Sequence, residues 1–391
     1  MVMKARHISV AVPMLAEEKS VEGLLDCLRR QTWRDVSVYV CVNQPEEWRE
    51  DGDEWQRGAV EDNRLTLERL AKVNDLEMIV LDRSSKGRGW TGKRKGVGWA
   101  RKVMMDRIVK ERDEKEIVVS LDADTRIEDE YLEGVVETLE EKQECGAIAA
   151  PYYHPTTGEE GTDRRLLRYE CYMRHYMINM LEAGNPYAFT ALGSAMAFWL
   201  GAYRKVGGIT PLQGGEDFYL MQKFAKTGKV AVGAEKMKRL TVRPQGRKSR
   251  RVPFGTGPAV AMTLEEQEMK YPFYAREGFE KVRETFELFP ALYDNDIETP
   301  MSEFLRRQLG TDELWQPLRK NYKDREHFVR ACKEKTDGLR ILQYLRTFTS
   351  LETAPVDFAK DKIEVIDAYR YKLFAKEMEL RAAHPTVGLA Q

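Results

Sequence analysis

The chain has 391 residues, 42% of them hydrophobic and 32% charged, which is enough to bury one large core or two smaller ones. Its 63 basic and 64 acidic residues leave a net charge of -1. This balance excludes a global field that would attract nucleic acid or an anionic membrane, so any recognition of anions must come from local clusters. None of the five cysteines forms a Cys-x-x-Cys pair, which argues against a zinc knuckle or disulfide framework and favours a reduced, cytoplasmic protein.

No signal peptide is expected, because the apolar start at residues 8–15 is short and interrupted by Pro13. Residues 183–203 carry no charge over about the length that spans a bilayer. Gly184, Pro186 and Gly193 interrupt this stretch, so we interpret it as buried strand and turn and expect no transmembrane segment.

Strand and helix patterns alternate through the first part of the chain, which predicts the α/β class with right-handed crossovers and a mostly parallel sheet. Beyond residue 262 the pattern becomes charged and helical, without strand alternation. We therefore predict a domain at residues 1–262 and an α-helical C-terminal region at 263–391. Strands are predicted at 7–12, 36–42, 78–81, 117–121 and 147–150, and helices at 21–30, 65–73, 99–108, 129–142, 164–180, 301–309, 326–335, 339–348 and 363–382.

Two carboxylates follow an apolar run that is typical of a buried parallel strand. Residues 117–121 read Ile-Val-Val-Ser-Leu, and Asp122 and Asp124 come directly after them. Ligands of open α/β sheets collect at the carboxyl ends of the strands, and alternation in an extended chain would point both acids the same way. The pair suits Mg²⁺ or Mn²⁺ that carries the phosphate oxygens of a nucleoside diphosphate. The same residues also match the nucleophile loop of haloacid-dehalogenase-like phosphatases.

A glycine-rich basic loop at residues 86–96 follows the third predicted strand. Gly87 to Lys93 has the spacing of a phosphate-binding loop, but Arg94 stands where a Ser or Thr should hold the metal. We therefore favour a basic loop that closes over a nucleotide, with Lys93 as the best contact, and the alternative is a mobile basic loop.

Glu216 and Asp217 follow two glycines and are predicted to open a helix. Acids at a helix start are commonly structural, because they interact favourably with the helix dipole. A metal-bound carboxylate is a poor base, however, so a second acidic pair supplies a separate group that could take a proton from an attacking hydroxyl.

Positive charge is concentrated in residues 243–251 of this nearly neutral chain. Arg247, Arg250 and Arg251 present guanidinium forks that match phosphate oxygens, and the following glycines allow close backbone approach. The segment is predicted to hold a diphosphate leaving group, with a solvated basic loop as the alternative. Nucleic-acid binding ranks lower because aromatic residues are not interleaved with the charges.

His154 and His175 lack partners at metal-ligand spacing and are interpreted as structural residues.

Five motifs in order resemble family 2 glycosyltransferases of the GT-A fold over about residues 5–260. They are Val10-Ala-Val-Pro-Met-Leu-Ala-Glu-Glu-Lys-Ser, Gly89-Trp-Thr-Gly-Lys, Leu121-Asp-Ala-Asp-Thr, Gly193-Ser-Ala-Met-Ala-Phe with Tyr203-Arg-Lys-Val-Gly-Gly, and Gly215-Glu-Asp-Phe-Tyr-Leu. The resemblance implies a nucleotide-sugar donor, a divalent metal and an inverting displacement at a saccharide or lipid-linked acceptor, with a UDP-sugar expected.

The resemblance also assigns roles to individual residues. Asp124 would be the metal-binding acid and Asp122 its partner nearer the ribose, while Asp217 would be the general base with Glu216 beside it. Pro13 and Glu17 would lie in the base pocket.

The sequence departs from the family pattern at Ala16, Asn43 and Ala195. Asn43 replaces the usual Asp but can still hydrogen-bond a base edge. A catalytically silent nucleotide-sugar-binding scaffold remains a third possibility, against which the joint presence of Asp122, Asp124 and Asp217 speaks.

Overall fold

The computed structural model describes residues 6–233 and 237–389. The described strands form an eight-stranded sheet in the order β3-β2-β1-β4-β6-β5-β7-β8. They are β1 (Ile8–Met14), β2 (Val36–Asn43), β3 (Glu77–Arg83), β4 (Ile117–Ser120), β5 (Cys145–Ala149), β6 (Met196–Trp199), β7 (Lys229–Ala231) and β8 (Thr386–Gly388).

Most neighbouring strands run parallel, which confirms the predicted fold class. β1 pairs in parallel with both β2 and β4, in registers that set Ile8 opposite Val36 and Ile117. β6 is inserted antiparallel between β4 and β5, and β8 pairs antiparallel with β7. β7 and β8 were not predicted, because three-residue strands are too short to show an alternating pattern.

Helices cover the sheet and form most of the C-terminal region. They are α1 (Glu18–Arg29), α2 (Glu54–Leu70), α3 (Val97–Glu111), α4 (Tyr131–Glu141), α5 (Glu160–Glu182), α6 (Leu200–Lys205), α7 (Glu216–Thr227), α8 (Met237–Leu240), α9 (Thr256–Ala261), α10 (Leu264–Lys270), α11 (Arg276–Leu288), α12 (Ser302–Leu309), α13 (Gln316–Asn321), α14 (Arg325–Lys335), α15 (Gly338–Leu345) and α16 (Ile363–Ala383), with single 3₁₀ turns at Glu46–Arg49 and Ala291–Tyr293.

Helix α2 begins much earlier than its predicted start at residue 65. Asp53 accepts a hydrogen bond from the backbone N–H of Gln56, whose side chain accepts one from the backbone of Asp53. This capping box satisfies backbone donors at the start of a polar segment that has no strong apolar stripe. The cap, rather than hydrophobic periodicity, therefore sets where α2 begins.

Alternate side chains of the central strands enter two cores on opposite faces of the sheet. Val10 and Val38 belong to one core, whereas Ala11 and Tyr39 belong to the other, as expected for strands buried on both faces. The second core also contains residues of the C-terminal helices, including Phe328.

The C-terminal region is continuous with the rest of the fold. α16 packs along α5, and β8 extends the sheet beside β7. The boundary at residue 262 stays a prediction.

Residues 183–203 form turns, β6 and the start of α6. None of the helices in the described ranges is both long enough and apolar enough to cross a bilayer.

Candidate functional site

A cavity opens at the carboxyl ends of β1, β2 and β4, where the sequence placed the site. Its wall includes the ends of β1 and β2, the turn after β4, the start of α7 and the segment 244–257. Most of the predicted site residues line it, namely Pro13, Glu17, Asn43, Asp122, Asp124, Glu216, Asp217, Arg247 and Arg251. The structure thus brings together side chains as far apart in the sequence as Pro13 and Arg251.

Asp122 and Asp124 lie in a turn rather than in an extended chain. The backbone N–H of Thr125 donates to the carbonyl oxygen of Asp122 over 3.0 Å, which closes the turn. The expectation of simple strand alternation was therefore wrong, because β4 already ends at Ser120. Both carboxylates nevertheless line the cavity, with the Asp122 side chain 38% exposed and that of Asp124 12% exposed.

Arg101 is a buried cation in the wall of the cavity that none of the sequence motifs indicates. Its guanidinium bonds the carboxylate of Asp122 over 2.6 Å and forms an ion pair with Glu216, although its side chain is only 3% exposed. It therefore ties the turn after β4 to the start of α7.

Gly193 makes room for this guanidinium. A Cβ added at Gly193 would overlap the guanidinium of Arg101, and the backbone carbonyl of Gly193 accepts a hydrogen bond from Ser120 over 2.7 Å. The glycine of the Gly193-Ser-Ala motif was therefore the signal in the sequence that a large side chain must pass close to the backbone there.

Glu216 and Asp217 differ in their surroundings although they are adjacent. Glu216 is 1% exposed and is neutralised by Arg101, which indicates a supporting role rather than contact with a substrate. Asp217 lines the cavity and keeps a minor part of its surface accessible, while most of it is removed from water. Burial and the neighbouring Glu216 raise the pKa of Asp217 to about 7, although Arg101 opposes the shift. A carboxyl with a pKa near neutrality is suited to general base catalysis.

The basic segment sends two arginines into the cavity. Arg247 bonds Asp124 over 3.2 Å and also pairs with Glu17, and Arg251 pairs with the same two carboxylates. Burial lowers the pKa of Arg251 to about 10. Burial, with the nearby Asp122, raises the pKa of Asp124 to about 6. This group of two guanidiniums and two carboxylates is balanced in charge.

Two predicted cations lie outside the lining of the cavity. Arg250 is 68% exposed and pairs with Asp53 over 3.1 Å while its guanidinium lies over the ring of Trp55. Lys93 is exposed on the loop before α3 and does not line the cavity. The amides of Gly87 and Gly89 in that loop donate to the carboxylate of Glu46 over 2.9 and 2.7 Å, so this carboxylate occupies donors that a phosphate-binding loop would offer.

The polar side chains of the predicted base pocket are already held by protein groups. The amide nitrogen of Asn43 donates to the carbonyl oxygen of Met14 over 2.9 Å, and its oxygen accepts from the indole N–H of Trp90 over 3.1 Å. The Asn43 side chain is therefore fixed in orientation at the end of β2, where its carbonyl oxygen keeps a second lone pair.

The donor set fits a divalent metal only together with a ligand. Within the described ranges, no group of three or more His, Cys, Asp or Glu side chains is arranged to hold a metal ion. Mg²⁺ and similar ions bind through one or two carboxylates, with substrate phosphates and water completing the shell. Asp122 and Asp124 line one cavity and could supply these two carboxylates. Arg101 bonds Asp122, and Arg247 and Arg251 pair with Asp124, so a metal would share these carboxylates with guanidiniums or displace them.

No protein-family profile and no curated protein matches this sequence. Among solved structures, the chain is similar to S. aureus TarS 1-349 in complex with UDP, with 12% identity and a TM-score of 0.39 over 91% of this chain and 98% of that chain. It is also similar to the mannosyltransferase PcManGT from Pyrobaculum calidifontis in complex with GDP-Man and Mn²⁺, with 15% identity and a TM-score of 0.36 over 96% of this chain and 86% of that chain. Both similarities are distant in sequence and in shape.

Proposed function

We propose that this protein is a glycosyltransferase that moves a sugar from a nucleoside diphosphate sugar to an acceptor hydroxyl with inversion at the anomeric carbon. The observation that carries the proposal is the cavity at the carboxyl ends of the strands. It joins an acidic pair, Asp122 and Asp124, to a separate carboxyl, Asp217, whose pKa is raised to about 7. Leaving-group binding and proton removal are thus assigned to different residues.

In the proposed reaction, Asp217 takes the proton of the acceptor hydroxyl while the oxygen forms a bond to the anomeric carbon. The bond between that carbon and the phosphate oxygen breaks, and its electron pair leaves with the nucleoside diphosphate. Arg247 and Arg251 are assigned to the charge on the departing diphosphate, because both guanidiniums face the cavity. When bound at Asp122 and Asp124, Mn²⁺ or Mg²⁺ would add Lewis-acid stabilisation of the same oxygens.

Arg101 has a positioning role in this scheme. Its ion pairs to Asp122 and Glu216 fix the distance between the acidic pair and the helix that carries Asp217. The buried Glu216 is accordingly assigned to support and not to proton transfer, and Arg250 and Lys93 are omitted from the donor contacts.

The proposed partners are a donor, expected to be a UDP-sugar, and a saccharide or lipid-linked acceptor. The proposed location is the cytoplasm. Cys27, Cys41, Cys145, Cys171 and Cys332 are all free and buried, which suits a reducing compartment.

A thermal-shift panel tests the proposal directly. UDP, GDP, dTDP and CDP are each added with and without Mn²⁺ to the wild type, Asp124→Asn and Asp217→Asn. We expect one nucleotide to raise the melting temperature in a metal-dependent manner in the wild type and in Asp217→Asn, but not in Asp124→Asn. Asp217→Asn should keep donor binding and lose sugar transfer.

Other outcomes would contradict the proposal. Equal nucleotide binding with and without metal would remove the metal assignment of Asp122 and Asp124. A response to beryllofluoride or phosphate, with none to any nucleotide, would favour the phosphatase alternative. Nucleotide-sugar binding with no transfer or hydrolysis in the wild type would favour a silent scaffold.

A further inference from the structure

A buried chain of hydrogen bonds ends at the cavity wall on Thr256. The Nδ1 of His154 lies 2.8 Å from a carboxylate oxygen of Glu170, and its Nε2 lies 3.2 Å from the hydroxyl oxygen of Thr256. The side chains of His154 and Glu170 are both 0% exposed, whereas Thr256 is partly exposed and lines the cavity. We call these three residues the Glu170–His154–Thr256 chain.

The carboxylate of Glu170 is held ionised by two buried arginines. Arg174 donates to it over 2.6 Å and Arg370 over 3.3 Å. Although burial opposes ionisation, Arg174 and the hydrogen bond from His154 hold the pKa of Glu170 well below its usual range. An ionised carboxylate only accepts hydrogen bonds, so the Nδ1 of His154 carries a proton and donates it to Glu170.

The buried carboxylates near His154 already have guanidinium partners, which favours a neutral imidazole. Three buried guanidiniums face the two buried carboxylates, with Arg174 between Glu170 and Glu377, Arg381 on Glu377, and Arg370 on Glu170. Arg370 also bonds Asp367, whose side chain is 38% exposed. On the cavity side, Asp124 and Glu17 are matched by Arg247 and Arg251. An imidazolium would add an uncompensated charge at a fully buried position, which is costly.

A neutral imidazole with its proton on Nδ1 leaves Nε2 as a hydrogen-bond acceptor. The hydroxyl of Thr256 must then donate its only hydrogen to His154. Thr256 lines the cavity and is partly exposed, and its oxygen has only lone pairs left to offer there, so it can only accept a hydrogen bond from a ligand. A phosphate oxygen is also an acceptor, so it is a poor partner for Thr256, whereas a sugar hydroxyl is a good one.

We propose that Thr256 is a specificity-determining residue that accepts a hydrogen bond from a sugar hydroxyl of the donor or of the acceptor, and that His154 positions it. This inference rests on the proposed function and adds the part of the ligand that Thr256 recognises. Arg370 links the C-terminal region to the site, because its guanidinium bonds both the backbone carbonyl of His154 over 2.6 Å and the carboxylate of Glu170. Helix α16, which carries Arg370, thereby holds His154 and Glu170 in position.

The test compares nucleotide sugars with their parent nucleotides. Dissociation constants are measured by calorimetry with Mn²⁺ for UDP-glucose against UDP and for GDP-mannose against GDP, on the full-length wild type, Thr256→Val and Thr256→Ser. The valine keeps the shape without the oxygen, and the serine keeps the hydroxyl as the matched control. A second arm measures the thermal shift that methyl glucoside or methyl mannoside adds in the presence of the parent nucleotide.

For a donor-sugar contact, we expect Thr256→Val to weaken the nucleotide sugar about five- to tenfold relative to its parent nucleotide, the effect of one lost hydrogen bond. Thr256→Ser should stay near the wild type. For an acceptor contact, we expect Thr256→Val to leave the ratio of the two dissociation constants unchanged. The rise in melting temperature that the methyl glycoside causes in the wild type should then be lost in Thr256→Val. If Thr256→Val changes neither quantity, or weakens the parent nucleotide equally, the inference is overturned.

His154→Phe provides an independent readout, since phenylalanine keeps a ring of similar shape but has no nitrogen that could accept the hydrogen bond of the Thr256 hydroxyl. We expect it to reduce the selectivity for the sugar while binding of the parent nucleotide is kept, whereas a purely structural role would lower both together. If nucleotides bind but the preference for the nucleotide sugar over its parent nucleotide does not depend on Thr256, only this inference is overturned. A wild type that binds neither nucleotides nor nucleotide sugars overturns the proposed function and this inference with it.

Discussion

Replacing Arg101 with methionine tests whether a buried ion pair holds the candidate site together. The Arg101 side chain is 3% exposed and bonds Asp122 over 2.6 Å and Ser120 over 3.3 Å, in addition to its pair with Glu216. Methionine replaces the apolar stem but leaves the Glu216 carboxylate, which is 2% exposed, without its buried cation. Asp122 loses the same partner but is 38% exposed, so water can replace much of that interaction.

The expected loss of stability comes mainly from Glu216. Breaking a buried ion pair by removing one partner costs about 3 to 5 kcal/mol, because the remaining charge is buried and uncompensated. The unfolding entropy is roughly 2 cal/mol/K per residue, so for a chain of 391 residues this corresponds to a fall in melting temperature of about 4 to 6 °C. Metal-dependent nucleotide binding should also weaken, since Asp122 loses its anchor.

The assay is thermal and urea unfolding of Arg101→Met, Glu216→Gln and the double variant. In the double variant no carboxylate is left unpaired at residue 216, so we expect it to recover part of the loss, with a coupling energy of about 1 to 3 kcal/mol. Arg107→Met is the matched control on the same helix, because Arg107 is 53% exposed and its loss should change stability by less than about 0.5 kcal/mol. If Arg101→Met melts within about 1 °C of the wild type, the reasoning about the buried pair is refuted.

Three further predictions concern the base, the glycine beside the buried arginine and the C-terminal helix. Asp217 acts deprotonated and its pKa is about 7, so the transfer rate should fall about tenfold per pH unit below pH 7 and level off above it; a pH–rate profile that stays flat down to pH 5 would contradict this assignment. Gly193→Ala should destabilise the protein by about 1 to 3 kcal/mol, because the added Cβ would overlap the guanidinium of Arg101. Gly58→Ala is the control: its Cβ would meet open space in a helix, so it should stabilise the protein by about 0.5 to 1 kcal/mol. Equal effects of the two variants in urea unfolding would exclude the steric explanation. Glu377→Gln should lower the free energy of unfolding by about 3 to 5 kcal/mol, because it leaves the buried guanidiniums of Arg174 and Arg381 without this charge partner. Glu379 is 74% exposed on the same helix, so Glu379→Gln should change the stability little. Similar melting temperatures for the two variants would refute the role of the buried network.

Local patterns were sufficient to predict much of the α/β architecture and the composition of the cavity. Apolar runs such as Val36–Asn43 and Ile117–Ser120 appear in the structure as buried parallel strands, and amphipathic stretches such as 363–382 appear as helices. Carboxyl ends of parallel strands meet at one edge, so the position of Asp122 and Asp124 beside Pro13 and Asn43 followed from chain order alone.

Elements defined by distant partners were not predictable in this way. β8 consists of three residues near the C-terminus and exists because Val387 pairs with Val230 of β7. The start of α2 depended on a capping box, and the direction of Asp122 and Asp124 depended on a turn that a strand pattern does not show.

The sequence by itself determined the residue types of the candidate site, because strand and helix periodicity and the two acidic motifs are local properties of the chain. The tertiary structure alone decided which charges meet: Arg101 with Glu216, Arg251 with Glu17, and Arg370 with Glu170. An ion pair depends on the distance between two side chains and on their removal from water, and both quantities are set by packing between segments far apart in the chain. For this reason His154 looked like an ordinary structural residue in the sequence, although the fold places it between a buried carboxylate and the wall of the cavity.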